Sequence, residues 1–383
     1  MSVTAPAGFR AAGVTAGLKA SGTPDVALVV NDGPDHHAAA VFTTNRVEAA
    51  PVTWSRVAVA DGRIDAVVLN SGGANACTGP EGFADTHTTA ERVAQVLGVS
   101  SGDVLVCSTG LIGERLDMPA LLGGVDAAAA ALAPAAGEDA ARAIMTTDTV
   151  PKQVVVEGPG WRIGGMAKGA GMLAPGLATM LVVLTTDAAL PAADLDAALR
   201  SACRVTFDRL DSDGCMSTND TVVLLSSGAA DAAVDAAGFG AALTQACDEL
   251  AHQLMRDAEG AHHDIEIEVV GAADEDDAVQ IGRAVARSNL FKAAIFGGDP
   301  NWGRILSAVG TTSAVFEPAR LDVSINGVPV CRAMGVGADR SGVDLSARAV
   351  HVLIDLHAGQ ASATVLTNDL THDYVHENSA YST

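Results

Sequence analysis

Short apolar runs alternate with longer alanine-rich stretches along the chain, and this alternation predicts a mixed α/β protein. Runs of four to eight apolar or β-branched residues are typical of buried strands, whereas apolar residues three or four positions apart are typical of helices. The predicted strands are residues 26–30, 66–69, 104–107, 153–156, 180–184, 222–225, 265–270, 321–325 and 350–356. The predicted helices are residues 84–97, 118–132, 192–203, 245–258 and 274–287.

One segment, KGAGMLAPGLATMLVVLTTD (168–187), is more informative about function than the others. Its first half is rich in glycine and proline, which predicts a loop, and its second half is an apolar run that predicts a strand. Thr179 lies at the boundary and follows the small residue Ala178. This layout fits a self-cleaving enzyme with an N-terminal nucleophile, but it also fits an ordinary threonine at the start of a strand.

The functional interpretation of Thr179 has a chemical basis. A threonine hydroxyl is a weak nucleophile and needs a base to activate it. If the bond between Ala178 and Thr179 is cleaved, Thr179 gains a free α-amine with an unperturbed pKa of about 7.7–8.0. Nucleophile and base then belong to one residue, and no histidine is required.

Seven motifs, in order over nearly the whole length, resemble those of the ornithine acetyltransferase (ArgJ) family of arginine biosynthesis. They are NSGGANACTGP (70–80), CSTGLIG (107–113), AIMTTDTVPK (143–152), the Thr179 segment, STNDT (217–221), GDPNWGR (298–304) and the C-terminal ENSAYST. The resemblance implies an α/β fold of layered β-sheets flanked by helices, with the DmpA-like architecture of self-cleaving N-terminal-nucleophile enzymes. It also implies an alpha chain of residues 1–178 and a beta chain of residues 179–383, interleaved in one fold.

The resemblance also assigns roles to particular residues. Thr179 is implied as the nucleophile, with cleavage between Ala178 and Thr179, and Thr109 and Gly110 are implied to form the oxyanion hole. The implied substrate-binding residues are Thr146, Lys168, Thr179, Glu259, Asn378 and Thr383. GDPNWGR is interpreted as a structural turn, in which Trp302 packs and Arg304 bridges.

Two of these assignments carry local expectations. The apolar spacing before Glu259 predicts that this carboxylate ends a helix, with Gly260 as its C-cap. A carboxylate at the negative end of a helix is disfavoured by roughly 0.3–1 kcal/mol. Glu259 is therefore interpreted as a binding site for a positively charged group of the substrate. At the C-terminus, Tyr374, Val375 and Tyr381 are expected to anchor the tail that carries Asn378 and Thr383.

The implied reaction is transfer of an acetyl group from N2-acetylornithine to L-glutamate, through acetyl-Thr179, with no metal or organic cofactor. The sequence leaves open whether acetyl-CoA also serves as a donor. The resemblance further implies a heterotetramer of two alpha and two beta chains. Two alternatives remain at this point: a self-cleaving amidase or aminopeptidase that transfers the acyl group to water, and an uncleaved protein that binds a small molecule without catalysis.

Composition narrows the class of protein further. The formal net charge of −23 argues against nucleic acid as a partner, because a phosphate-binding surface would be basic. No stretch of 18 or more residues is free of charge and proline, and no secretory signal is visible, so no membrane span and a cytoplasmic location are expected. The six cysteines lack metal-binding or CxxC spacing and are expected to be reduced.

Overall fold

The computed structural model describes residues 2–174 and 180–380. In chain order, the described strands are β1 Phe9–Val14, β2 Val26–Asn31, β3 His37–Phe42, β4 Ala66–Asn70, β5 Val104–Ser108, β6 Lys152–Gly158, β7 Trp161–Lys168, β8 Leu181–Thr186, β9 Thr221–Ser226, β10 Asp264–Ala272, β11 Asp322–Ile325, β12 Val328–Arg332, β13 Gly335–Val336, β14 Ala349–Asp355 and β15 Ala361–Asn368. The described α-helices are α1 Ala50–Ala58, α2 Gly79–Leu97, α3 Met118–Ala131, α4 Gly137–Ala143, α5 Ala192–Val205, α6 Ala236–Arg256, α7 Glu275–Ala286, α8 Asn289–Phe296, α9 Trp302–Val309 and α10 His372–Ala380.

A five-stranded sheet with the order β3-β9-β8-β7-β6 lies at the centre of the larger part of the molecule. All residues of β8 and β9 are buried, so both strands are covered on both faces. Successive side chains of a strand point to opposite faces, and the two faces here contact different cores. Val182 and Leu184 pack towards α5 and α6, whereas Leu181 and Val183 pack towards a second sheet.

The second sheet has four strands in the order β1-β2-β4-β5 and lies face to face with the five-stranded sheet. Its outer face packs on α2 and α3. The layers are therefore helix, sheet, sheet and helix, with one apolar core between each pair of neighbouring layers. Such layering buries both faces of β2, β4, β5, β8 and β9, which is why the sequences of these strands are nearly continuous apolar runs.

The remaining sheet has six strands in the order β13-β12-β11-β14-β10-β15 and forms its own core with α7, α8 and α9. It joins the layered part through α6 and β15, and through a β-bridge between Leu210 and Leu366. None of the helices in the described ranges is long and apolar enough to cross a membrane.

The central sheet combines strands from both sides of position 179. β3, β6 and β7 precede this position, whereas β8 and β9 follow it. β7 pairs with β8 over six residues, and β3 pairs with β9 over six residues. The two parts of the sequence are thus interleaved within one sheet.

The predicted α/β class, with layered sheets flanked by helices, is confirmed. Each predicted strand and helix has a counterpart, but several elements were missed, namely β1, β3, β7, β12, β13, β15, α1, α4, α8, α9 and α10. The missed strand β3 reads HAAAVF and β7 contains two adjacent glycines, so neither shows the β-branched enrichment of a typical strand. The helix predicted for residues 245–258 in fact begins at Ala236 and ends at Arg256.

Candidate active site

The site is built where the two parallel strands β4 and β5 end side by side. Asn70 at the end of β4 pairs with Ser108 at the end of β5. The amide of Thr109 donates to the Asn70 carbonyl at 3.0 Å, so the turn after β5 is held against the turn after β4. The motifs NSGG and CSTG, far apart in sequence, therefore form adjacent turns.

Gly110 is required by this close approach. Its φ of +129° lies in a region that side-chain-bearing residues rarely adopt. A Cβ at this position would lie 2.8 Å from the backbone nitrogen of Gly73. The absence of a side chain lets the two turns touch, and it leaves the Gly110 backbone open to the adjacent pocket.

The STNDT motif closes the site from the central sheet. Asn219 donates from Nδ2 to the Ala74 carbonyl at 2.6 Å and to the Ser108 carbonyl at 2.8 Å, which ties the turn before β9 to both turns of the second sheet. The next residue, Asp220, accepts a hydrogen bond from the Met180 amide at 3.0 Å. The entry to β8, directly after position 179, is thereby fixed beside the same turns.

A pocket of about 120 Å³ lies between these turns and brings together the predicted site residues that the structure describes. Those residues are Thr109, Gly110, Thr146, Lys168, Glu259 and Asn378. Ser217, Thr218 and Asn219 of the STNDT motif also line it. The predicted nucleophile and cleavage residues, Thr179 and Ala178, and the predicted substrate residue Thr383 lie outside the described residues.

Lys168 and Thr109 are in contact on the pocket wall. Both are buried, and Lys168 Nζ donates to Thr109 Oγ1 at 3.3 Å. Because the Thr109 oxygen accepts this bond, its own O–H remains to donate to a ligand oxygen. Burial lowers the pKa of Lys168, and the nearby Asp148 carboxylate opposes that shift.

Glu259 reaches the pocket from a turn, not from the end of a helix. Helix α6 ends at Arg256, so the predicted position of Glu259 in its last turn is wrong, and the helix-end argument does not apply. Gly171 makes room for the carboxylate, because a Cβ there would lie 2.5 Å from Glu259 Oε2. Gly260 does adopt a positive φ of +60°, and its open side lets α10 pack closely at Tyr374.

Helix α10 places Asn378 at the rim of the pocket. Asn378 donates from Nδ2 to the Tyr374 carbonyl within the helix, and Thr371 donates to the Gly260 carbonyl at 2.6 Å, which fixes the start of the helix. Tyr374 is half-buried as expected, but Val375 is 56% exposed, so its prediction as an anchor is wrong. Tyr381, the third predicted anchor, lies outside the described residues.

The comparison with known proteins is decisive for the family. The sequence model of the ArgJ family matches residues 10–383. The chain belongs to the ArgJ family. The arginine biosynthesis bifunctional protein ArgJ of Streptomyces coelicolor is 65% identical over 382 residues, with 100% of both chains covered. The protein of the same name from Thermobifida fusca is also 65% identical, with 100% of both chains covered. The family predicted from the motifs is confirmed.

A solved ArgJ relative is the ornithine acetyltransferase of Mycobacterium tuberculosis, which was crystallised in complex with ornithine. It is 57% identical in sequence and covers 47% of this chain and 96% of its own, with a TM-score of 0.45.

Two buried carboxylates of this ArgJ family member were missed by sequence reasoning. Asp148 lies in AIMTTDTVPK and Asp220 lies in STNDT, and both motifs were recognised without a role for their aspartate. Burial raises the pKa of Asp220 well above its usual range, and one of its oxygens, Oδ2, has no hydrogen-bond partner in the part of the chain that the structure describes. The sequence offered one signal, the place of each aspartate shortly before a strand of the central sheet: Asp148 precedes β6 and Asp220 directly precedes β9.

The GDPNWGR motif lies outside this pocket and is structural. Asn301 caps α9 by accepting from the Arg304 amide, and Trp302 packs against the core of the six-stranded sheet. Arg304 donates to the Leu290 carbonyl at 2.5 Å, which joins α9 to α8. The expected packing of Trp302 and bridging by Arg304 are both confirmed, but both residues lie at the start of helix α9 instead of in a turn.

The geometry of Gly110 predicts that Gly110→Ala destabilises the protein. The added Cβ meets the Gly73 backbone and φ becomes unfavourable, so the free energy of unfolding should fall by about 1–3 kcal/mol. Gly123→Ala in α3 is the matched control, since a Cβ there meets nothing within 4 Å. In a helix this control should raise stability, by up to about 1 kcal/mol. Denaturant unfolding of both variants measures the difference, and equal effects would contradict the strain at Gly110.

Proposed function

We propose that this chain is a glutamate N-acetyltransferase, which moves the acetyl group of N2-acetylornithine to L-glutamate through an acetyl ester on Thr179. The observation that carries the proposal is the pocket, which combines a free hydroxyl donor on Thr109, the ammonium of Lys168 and the carboxylate of Glu259. These groups match an acetylated amino acid with a carboxylate and a side-chain ammonium. The relatives' name, arginine biosynthesis bifunctional protein, agrees with this assignment.

Cleavage between Ala178 and Thr179 supplies the nucleophile in this proposal. Support comes from the fixed entry to β8, where Asp220 holds the Met180 amide next to pocket residue Asn219. Residues 1–178 and 179–383 then form the alpha and beta chains. Pairing of β7 with β8 and of β3 with β9 would keep the two chains together after cleavage.

The reaction proceeds by two acyl transfers. The Thr179 hydroxyl gives its proton to the Thr179 α-amine while its oxygen attacks the acetyl carbonyl carbon. The resulting oxyanion is stabilised by the Thr109 hydroxyl and the Gly110 N–H. The amide C–N bond then breaks, the leaving nitrogen takes the proton, and ornithine departs. The glutamate α-amine attacks the acetyl ester by the reverse steps, which restores the Thr179 hydroxyl and releases N-acetylglutamate.

One pocket serves donor and acceptor in turn because both are α-amino acids. Lys168 and Thr146 bind the shared α-carboxylate, since an ammonium and a hydroxyl are suitable donors to it. Glu259 pairs with the side-chain ammonium that ornithine has and glutamate lacks. Asn378 lies at the rim, and Thr383 is assigned to the same substrate boundary through its place in the ENSAYST motif.

The proposal has further parts that concern the whole enzyme. The word bifunctional in the relatives' names fits acetyl-CoA as a second donor, which makes N-acetylglutamate directly. We assign the enzyme to the cytoplasm and its assembly to a heterotetramer of two alpha and two beta chains. Native mass spectrometry tests the assembly.

Activity assays distinguish the transferase from an amidase. They compare acetylornithine with acetyl-CoA as the acetyl donor, and glutamate with water as the acetyl acceptor.

The purified protein should consist of two fragments, the second beginning with the sequence Thr-Met-Leu-Val. The Thr179→Ala variant should remain one chain and should transfer no acetyl group, because it has lost both the hydroxyl and the new amine. Denaturing electrophoresis and N-terminal sequencing measure cleavage. A new N-terminus at another position would show that the nucleophile is misassigned.

Thr109→Ala should lower kcat by roughly 10²–10³-fold, as expected for the loss of one donor to an oxyanion. KM should change little, because the charge on the oxygen develops mainly in the transition state. Thr109→Ser, which keeps the hydroxyl, is the control and should retain most of the activity. Steady-state kinetics with acetylornithine would contradict the oxyanion role if only KM changed.

Glu259→Gln should reduce kcat/KM for acetylornithine on the order of tenfold, since a charge-assisted hydrogen bond is lost. The use of glutamate as acceptor should change less, because glutamate has no side-chain ammonium. Glu377→Gln is the control, because this carboxylate lies near Glu259 on α10 but does not line the pocket. Equal losses for donor and acceptor would show that Glu259 does not distinguish the two substrates.

A further inference from the structure

The carboxylate of Asp148 connects the segments that carry the substrate-binding residues. Its side chain is fully buried, and Oδ2 accepts from the Thr146 amide at 2.9 Å. Oδ1 accepts from the Gly169 amide at 2.7 Å, directly after Lys168. One carboxylate thus fixes the backbone at two pocket positions that are distant in sequence.

The connection extends to Glu259 through the same loop. Ala170, the residue after Gly169, accepts at its carbonyl from the Glu259 amide at 2.9 Å. Behind Asp148 lies the fully buried Lys152, whose Nζ donates to Asp148 Oδ1 at 2.6 Å and to Asp257 Oδ2 at 2.5 Å. The cluster of Asp148, Lys152 and Asp257 therefore lies beneath the pocket wall and joins three chain segments.

Asp148 is also the main charge that opposes the desolvation of Lys168. Among the described residues, the ionisable groups that act on this lysine include Asp148, Lys152, Asp220, Glu259 and Lys19. Burial lowers the pKa of Lys168, and Asp148 is the largest opposing influence. Asp148 itself stays ionised because Lys168 and Lys152 lower its pKa to about 2 despite burial.

We infer that Asp148 is a positioning residue of the pocket: its carboxylate holds the backbone at Thr146 and Gly169, so that the pocket binds the α-carboxylate of its amino-acid substrates. The inference rests on the proposed function, in which Lys168 and Thr146 bind that carboxylate. It adds a residue that touches no substrate and acts through Lys168.

The sign of the pH effect follows from the direction of the pKa shift. Protonated Lys168 attracts a substrate carboxylate, so binding is strongest below the pKa of Lys168 and is lost as pH rises through it. Without the Asp148 charge, burial acts with less opposition and the pKa of Lys168 falls further. The alkaline fall in kcat/KM should therefore begin at a lower pH in Asp148→Asn than in the wild type.

The test is the pH dependence of kcat/KM for acetylornithine and for glutamate in cleaved Asp148→Asn. At neutral pH, KM should rise on the order of tenfold for both substrates, as for loss of a hydrogen bond to a charged group. Asp257→Asn is the matched control, because this carboxylate of the same cluster pairs with Lys152, whereas the bonds to the Thr146 and Gly169 amides are made by Asp148. Both variants should have a lower Tm. Only Asp148→Asn should shift the alkaline limb, that is, the fall in kcat/KM at high pH, to a lower pH.

Several outcomes would overturn the inference. An alkaline limb at the wild-type pH in Asp148→Asn would do so, as would an equal shift in Asp257→Asn. If Asp148→Asn does not fold, Asp148→Glu decides: it keeps the charge, so the limb should stay, but its longer side chain displaces the loop, so KM should rise. Wild-type KM values in Asp148→Glu would then reject the role. Absence of acetyl transfer by the wild type would count against the proposed function instead.

Discussion

The parallel pairing of β4 with β5 is the interaction on which the site depends. Its register places Asn70 opposite Ser108, so that two glycine-containing turns leave the sheet at the same edge. A second parallel pair, β8 with β9, sets Leu181 opposite Thr221 and brings the entry to β8 next to the STNDT turn. Asn219 then joins the two sheets by donating to carbonyls of both turns. A slip of one residue in either pair would turn apolar side chains to the wrong core and would separate these turns.

The sequence allowed the elements nearest the site to be predicted because they are buried on both faces. β2, β4, β5, β8 and β9 read as continuous apolar runs, and such runs are recognisable without knowledge of the tertiary structure. The missed strands β1 and β3 are rich in alanine, which favours helices in isolation. They become strands because their small side chains fit between closely packed sheets, a tertiary effect that local propensity does not report.

Some residues of the candidate site could likewise be predicted from the sequence, whereas others could not. Positions assigned by the family resemblance, such as Thr109, Lys168 and Glu259, meet in one pocket as expected. Glu259 does not end a helix as predicted, because α6 ends at Arg256, and the close approach of Gly171 and α10 decides where the carboxylate lies. Asp148 and Asp220 were not identified because an aspartate in the loop before a strand usually belongs to a turn. Their roles depend on burial and on partners remote in sequence, which only the folded chain reveals.

The net charge of the chain is strongly negative, whereas the candidate pocket contains a buried lysine. The chain carries a net charge of −23, yet three of its lysines, Lys152, Lys168 and Lys292, are buried. An acidic surface repels a substrate anion such as glutamate, but salt screens this repulsion beyond about 8–10 Å. Inside the pocket, screening is weaker and a single ammonium acts strongly on a nearby carboxylate. In the proposed reaction, recognition of the substrate carboxylate would therefore depend on the charge state of Lys168. That charge state is set by the balance between its desolvation and its few buried neighbours, so binding responds to those neighbours more than to the many acidic groups on the surface.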